Sequence, residues 1–179
     1  FISSKNGYVT NDGDIKEDLM QYVIRELGKP GIVKEGDINS GYHCMTPAYL
    51  SDQLDRSLKN LNLECIDLMY LHNGIEAQIK DISKEEFWEK LKSVFELYEQ
   101  KRAEGKIKFY GMATWECFRV AKDNPQYLSL EDVVEMAKQI GGDNHGFKFI
   151  QLPFNMNYDQ ALLAKNQVVQ NKSVSILES

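Results

Sequence analysis

The sequence predicts an α/β protein built on a parallel β-sheet, and two observations support this prediction. Residues 64–72 form a nearly unbroken apolar run that ends in His72, which is typical of a strand covered on both faces. Along the whole chain of 179 residues, short apolar segments alternate with longer segments in which apolar residues recur at helical spacing. Strand–helix–strand connections of this kind are right-handed and place the helices outside a parallel sheet.

The first third of the chain is predicted to contain one strand, one helix and one long loop. Residues 1–5 form the strand, and apolar residues at helical spacing predict a helix over residues 15–27. Gly28 and Pro30 end that helix, because glycine favours the helix terminus and proline cannot continue the helix. Residues 31–45 have a weak pattern, and we expect them to form a loop.

Two capping patterns define the helices on either side of the central strand. Thr46 precedes Pro47, which is the combination expected of a capping hydroxyl followed by proline in the first turn. Four leucines on one face extend that helix toward the strand at residues 64–72. Ser83 and Glu86 have the spacing of a capping box, so the next helix begins there.

The rest of the chain repeats the alternation. Strands are predicted at residues 107–112, 147–152 and 173–177, from short apolar runs bounded by turn residues. Helices are predicted at residues 129–140, where a serine is the capping residue, and at residues 161–169. The predicted order is therefore strand and helix in strict alternation, through five strands.

The domain prediction follows from this order and from the length. The chain shows no internal linker, so residues 1–179 are predicted to be a single domain. A complete (β/α)8 barrel takes about 250 residues. We therefore expect an incomplete TIM-type barrel of about five strands, truncated at both ends, because each end of the chain lies on a predicted strand.

The composition excludes several classes of function. Acidic residues outnumber basic ones by 27 to 21 without any basic block, which argues against nucleic acid or an anionic membrane as a partner. No apolar run reaches the ~18 residues of a membrane span. The cysteines lack metal-site spacing, and we expect reduced thiols in a cytoplasmic protein without a metal. A glycine-rich phosphate loop and a nucleophile elbow are also absent from the sequence.

Polar residues at the ends of the predicted strands form the candidate site. Lys5, His72 and Gln151 each end a strand, and Thr114 follows the third strand. Taken singly, a lysine at a strand end is usually solvated and a histidine there is usually structural. In a barrel, however, the carboxyl ends of different strands converge on one pocket. A lysine and a histidine that meet there can tune a proton donor or orient a carbonyl.

The chain resembles the aldo-keto reductase family from its first residue to its last. Its most specific block is "LDRSLKNLNLECIDLMYLH" at residues 54–72, which is similar to the family's leucine-rich helix, Ile-Asp-Leu strand and catalytic histidine. Residues 1–5 resemble the third barrel strand, which ends in the catalytic lysine. "EGKIKFYGMATW" and "FIQLPFNMNY" are similar to the two strands whose ends bind the cofactor amide, and residues 173–179 resemble the seventh strand.

The resemblance implies hydride transfer between NADPH and an aldehyde or ketone, or the reverse reaction on an alcohol, with NAD as the other possible cofactor. It gives Lys5 the role of the lysine that lowers the pKa of a tyrosine proton donor. It gives His72 the role of orienting the substrate carbonyl, and it assigns Thr114 and Gln151 to the nicotinamide carboxamide. The family's aspartate and tyrosine precede this segment, so we expect them upstream of Phe1.

Two departures from the family pattern, at Ala113 and Glu178, support an alternative function. Ala113 and Thr114 stand where the family has serine and asparagine, and Glu178 stands where a tyrosine usually stacks on the nicotinamide. Tyr8 and Tyr42 do not occupy the place of the proton donor. The alternative is therefore a non-catalytic member that serves as a nucleotide-sensing or regulatory subunit. The sequence predicts no particular oligomeric state.

Overall fold

The structure, a computed structural model, describes residues 1–11, 13, 16–169 and 172–174. These residues include a parallel sheet of four strands, whose spatial order is also their order along the chain. The strands are β1 (Ser3–Asn6), β2 (Ile66–His72), β3 (Ile107–Ala113) and β4 (Phe147–Gln151). The predicted parallel α/β class is therefore confirmed.

The helices of the described chain lie between the strands, as the alternation predicts. They are α1 (Leu19–Tyr22), α2 (Pro47–Leu61), α3 (Gly74–Gln78), α4 (Lys84–Ala103), α5 (Leu130–Gly141) and α6 (Gln160–Leu163). A π-helical segment, Val23–Gly28, continues α1. Two predicted caps are confirmed, because the hydroxyls of Ser83 and Ser129 accept the backbone N–H groups of Glu86 (3.1 Å) and Asp132 (3.2 Å).

Two helix starts differ from the prediction. Thr46 is the residue before α2, but its hydroxyl makes no capping hydrogen bond and instead lies 3.2 Å from the Cys44 sulfur. The predicted helix in the first third of the chain begins only at Leu19. It begins there because the carboxylate of Asp18 caps it by accepting the backbone N–H of Met20 at 2.9 Å.

Helices α2, α4 and α5 cover one face of the sheet and bury the main core. The largest fully buried side chains of that core are Tyr49, Tyr98, Tyr110, Phe87 and Phe95. The opposite face has a separate and smaller apolar cluster, which consists of Leu68, Tyr70 and Ala113. The two faces therefore differ: one is the packed core, and the other is free to form a binding surface.

The register of the sheet places the polar strand ends on this second face. His72 is level with Ala113, and Ala113 is level with Gln151. Lys5 is level with Tyr70, two residues before His72, and alternate residues of a strand project from the same face. Lys5, His72 and Gln151 therefore project from the face opposite the helices.

A shift in register between β3 and β4 brings the ends of these strands level. The shift occurs between Tyr110 and Gly111. A Cβ atom on Gly111 would lie 2.1 Å from the backbone carbonyl oxygen of Phe149, so a side chain cannot be accommodated there. The absence of a Cβ at this position lets the two backbones approach and leaves Ala113 opposite Gln151.

The prediction for the last part of the chain needs correction. The helix expected at residues 161–169 ends at Leu163, and two short strands, β5 (Gln167–Val169) and β6 (Lys172–Val174), then pair antiparallel. Adjacent valines favour the extended conformation over a helix. Within the described residues, β6 pairs with β5 and not with the parallel sheet. Residues 175–177 of the predicted fifth strand, and Glu178, lie outside the described residues.

Candidate active site at the sheet rim

A cleft of about 230 Å³ opens at the carboxyl end of the parallel sheet. All four residues predicted for the site line it. Among the described residues, the cleft is lined by Lys5, His72, Asn73, Ala113, Thr114, Trp115, Gln151, Leu152 and Pro153. The structure therefore brings together side chains from four strand ends that are far apart in sequence.

His72 is half-buried in this cleft, and its surroundings hold the pKa of the imidazole below its ordinary value of 6.5. Burial is the largest cause, because it disfavours the charged ring. The ammonium group of Lys5 adds to the effect, whereas the carboxylate of Glu76 opposes it. His72 is therefore neutral near pH 7 and can donate one hydrogen bond from its ring.

The pKa of His72 gives a direct test of its closeness to Lys5. We expect the imidazole to titrate below 6.5 and its pKa to rise in the Lys5→Met variant, because the nearby positive charge is removed. The measurement is an NMR titration of the histidine ring in both proteins. An identical His72 pKa in the two proteins would show that the ammonium group does not act on the ring.

His43 is the first site residue that the sequence did not indicate. It lies in the loop before α2, its side chain is fully buried, and its Nε2 lies 2.8 Å from the backbone oxygen of His72. A carbonyl oxygen can only accept, so Nε2 carries the proton, and Nδ1 accepts the side-chain N–H of Gln78 at 3.0 Å. Burial lowers the pKa of His43 to about 4. This neutral histidine therefore fixes the end of β2.

Tyr8 and Gly7 complete the packing around the two histidines. The Tyr8 ring lies edge-on to both, with centroids 5.0 Å from His43 and 5.2 Å from His72. Gly7 has a positive φ of 130°, and a Cβ there would lie 2.4 Å from the Nε2 atom of His43. The Gly-Tyr pair after β1 thus allows His43 to reach the rim, and Tyr8 supports the ring of His72 from outside the cleft.

Thr114 lines the cleft, but its hydroxyl is already engaged by protein groups. The hydroxyl donates to the carboxylate of Glu76, accepts the backbone N–H of Cys117 at 3.2 Å, and lies 3.1 Å from the Cys117 sulfur. A hydroxyl has one proton, and Glu76 accepts it, so the hydroxyl has no donor left for a ligand. Its assignment to the carboxamide remains a prediction. In this arrangement the backbone N–H of Thr114 is also engaged, by the backbone oxygen of Gln151 at 2.8 Å, so the methyl group and the backbone oxygen remain for that contact.

The turn after β3 and the loop after β4 form one wall of the cleft, and Arg119 joins them. The Arg119 side chain is buried, and its Nε donates to the backbone oxygen of Trp115 at 2.6 Å. One of its terminal nitrogens donates to the side chain of Gln160 at 2.6 Å, and its guanidinium lies 4.8 Å from the ring centroid of Tyr158. The position of Trp115 is thereby fixed, with half of its surface exposed.

The residues of the cleft fit the nicotinamide end of the predicted cofactor. The exposed amide of Gln151 offers both a donor and an acceptor to a carboxamide, and Trp115 offers an aromatic surface to a planar ring. The volume is below the ~300–1,000 Å³ typical of pockets for larger ligands. The described cleft therefore suits the nicotinamide and a small carbonyl group, and not a whole dinucleotide.

Among the described residues, no group of three or more His, Cys, Asp or Glu side chains is arranged to bind a metal ion. The described helices include none that is both long and apolar enough to cross a membrane. The cysteines Cys44, Cys65 and Cys117 are all free thiols, as the sequence predicts.

The sequence matches one protein-family model, that of the aldo/keto reductase family, over residues 30–134. This match covers more than half of the chain and includes the central strand with His72. No curated protein sequence matches the chain.

Two solved structures are similar to the chain. One is the holo form of an aldo-keto reductase from Bacillus halodurans, with 19% sequence identity and a TM-score of 0.46 over 86% of this chain and 34% of that protein. The other is a Pseudomonas aeruginosa protein assigned to the aldo-keto reductases, with 18% identity and a TM-score of 0.37 over 88% of this chain and 52% of that protein. The chain thus spans about a third and about half of their lengths. Both TM-scores are below 0.5, so family membership rests on the sequence match.

Proposed function

This chain belongs to the aldo/keto reductase family, and from that premise we propose that it forms part of an NAD(P)H-dependent oxidoreductase. The reaction is the reduction of an aldehyde or ketone, or the oxidation of the corresponding alcohol, by hydride transfer. The observation that supports this proposal most directly is the shared cleft of Lys5, His72 and Gln151. A non-polar or purely structural rim would not require a cation, a neutral imidazole and a free amide on three different strands.

Each residue has a distinct role in the proposed reaction. Lys5 places a positive charge in the cleft, which favours the ionised form of a neighbouring acid and stabilises negative charge that develops on the carbonyl oxygen. Neutral His72 donates a hydrogen bond to that oxygen and so orients the substrate. The side-chain amide of Gln151 would hold the nicotinamide carboxamide, with the backbone oxygen of Thr114 as a second contact. The nicotinamide, when bound, supplies or accepts the hydride.

The surroundings of His72 support its role as a hydrogen-bond donor. Burial and the charge of Lys5 keep the ring neutral, and His43 fixes the backbone at the end of β2. A neutral imidazole has one ring N–H, and a fixed orientation directs that N–H toward the carbonyl oxygen. The substrate class is therefore a small carbonyl compound or alcohol, and we propose NADP as the cofactor and the cytoplasm as the location.

The full-length protein provides the test of this proposal. NADPH and NADH are titrated separately, and their binding is followed by fluorescence. Oxidation of each cofactor is then measured with a panel of aldehydes and ketones. We expect saturable NADPH binding, carbonyl-dependent oxidation of NADPH, and binding about 10-fold weaker in Gln151→Ala, the loss expected for one or two hydrogen bonds. The proposal would be contradicted if neither NADPH nor NADH bound to the protein.

A second candidate function is favoured by the state of Thr114. Its hydroxyl donates its one proton to Glu76, so the contact that the family pattern assigns to the carboxamide at this position has no free donor. A member with a weakened nicotinamide site could bind nucleotide without turnover and act as a sensing or regulatory subunit. Ordinary NADPH affinity combined with no turnover on any carbonyl would identify this second function.

A further inference from the structure

Glu76 is bound by four donors that belong to a single turn. Its Oε1 atom accepts the hydroxyl of Thr114 and the backbone N–H groups of Trp115 (3.2 Å), Glu116 (2.9 Å) and Cys117 (3.2 Å). Successive N–H groups that point to one atom form an anion-binding nest. Here the anion in the nest is a side chain from α3, an element that follows a different strand.

The two elements that Glu76 connects follow neighbouring strands whose ends line the cleft. Helix α3 begins just after His72 and Asn73, and the turn carries Thr114 and Trp115. A backbone hydrogen bond of 2.7 Å from Asn73 to the oxygen of Ala113 joins the same two strands at the rim. The carboxylate of Glu76 thus connects α3, which follows His72, with the turn that carries Trp115.

We propose that Glu76 is a positioning residue of the site, whose carboxylate sets the distance between the His72 side of the cleft and the Thr114–Trp115 side. This inference deepens the proposed function and rests on it for its effect on cofactor binding. Glu76 is not among the residues that line the cleft, so it acts on the ligand through its contacts with Thr114 and Trp115.

The chemistry of the contact explains why the residue is a carboxylate. Hydrogen bonds to an ionised acceptor are roughly twice as strong as those between neutral groups. The second carboxylate oxygen, Oε2, is buried without a hydrogen-bond partner within the described residues. A buried polar atom without a partner destabilises the fold, and such costs persist mainly where function requires the arrangement.

The test uses the full-length protein labelled with fluorotryptophan and observed by fluorine NMR. The resonance of Trp115 is assigned by its loss in Trp115→Phe. In Glu76→Ala we expect that resonance to shift and broaden, and NADPH affinity to fall about 10-fold, because the charged acceptor of the turn is lost. Glu76→Gln keeps one oxygen acceptor without the charge, so we expect an intermediate resonance and about a 3-fold loss of affinity.

A charge-matched control is available outside the turn. Glu131 is exposed in the first turn of α5 and does not line the cleft. Glu131→Gln should leave the Trp115 resonance and the NADPH affinity unchanged. An unchanged Trp115 resonance in folded Glu76→Ala, or wild-type behaviour of Glu76→Gln in both measurements, would overturn the proposal. If Glu76→Ala does not fold, the Trp115 resonance and the NADPH affinity of Glu76→Gln decide between the proposal and its rejection.

The two proposals can fail separately. The Trp115 resonance reports the position of the turn in the absence of any cofactor, so it tests Glu76 even if the protein binds no nucleotide. If the wild-type protein did not bind NADPH, the proposed function would be rejected. The Trp115 resonance could still be compared between the wild type and the Glu76 variants.

Discussion

Replacing Lys5 with methionine is expected to lower kcat/KM for carbonyl reduction by about 10²–10⁴-fold, the range typical of groups that assist proton transfer. Methionine keeps the length of the side chain and removes the charge. Lys5 lies in the cleft, and its ammonium lowers the pKa of His72, so its charge acts on the group that would face the carbonyl. We expect most of the loss in kcat, because negative charge develops on the oxygen only as the hydride is transferred.

A second lysine in the same sheet serves as the control for this prediction. Lys148 is exposed on β4 and does not line the cleft, so Lys148→Met should leave kcat/KM within about 2-fold of the wild type, as surface substitutions usually do. Steady-state kinetics and NADPH binding are measured for both variants. If Lys5→Met retained turnover within a few-fold of the wild type, Lys5 would not be part of the catalytic machinery.

Local sequence patterns were sufficient to predict the sheet and the position of its rim. An apolar run that ends in a polar residue defines a buried strand and its carboxyl end, as at His72 and Gln151. Capping residues such as Ser83 and Ser129 define helix starts because their hydrogen bonds form within a few residues. In parallel sheets the carboxyl ends lie together, so the meeting of Lys5 with His72 follows from topology.

The parts of the site that could not be predicted depend on contacts between distant loops. His43 lies in a weakly patterned loop and reaches the rim through the backbone oxygen of His72, 29 residues further along the chain. Glu76 binds a turn about 40 residues away. The periodic pattern of the local sequence does not predict such contacts, because the two partners come together only after the strands have paired. The glycine at position 7 was the one available signal, since it leaves space for the ring of His43.

His43 also makes the stability of the protein depend on pH in a predictable direction. Its pKa is about 4 in the folded protein, because burial disfavours the charged ring, whereas an exposed histidine titrates near 6.5. Between these values the unfolded chain binds a proton that the folded protein does not bind. The free energy of unfolding is therefore unaffected by this group above about pH 6.5, and it decreases as the pH falls from about 6.5 toward 4.

The size of this decrease follows from the same pKa difference. Each unit of difference corresponds to about 1.4 kcal/mol, so His43 is expected to reduce the free energy of unfolding by about 3 kcal/mol over this pH range. Burial is the largest cause of this pKa difference, and protonation would also place an N–H on Nδ1 next to the side-chain N–H of Gln78. A loss of this size is a large fraction of the stability of most domains.

Denaturant unfolding of the wild type and of His43→Gln, measured between pH 4 and 7, isolates this effect. Glutamine can still donate to the backbone oxygen of His72 but does not titrate. The carboxylates titrate in both proteins, so their contribution cancels in the difference between the two curves. We expect His43→Gln to have a lower free energy of unfolding than the wild type at pH 7, because the packing of the ring is lost. The wild type loses about 3 kcal/mol relative to the variant as the pH falls toward 4, so the difference in free energy of unfolding between the two proteins should change by that amount. A gap that stays constant with pH would mean that His43 is solvated and titrates normally, and that it does not fix the end of the strand that carries His72.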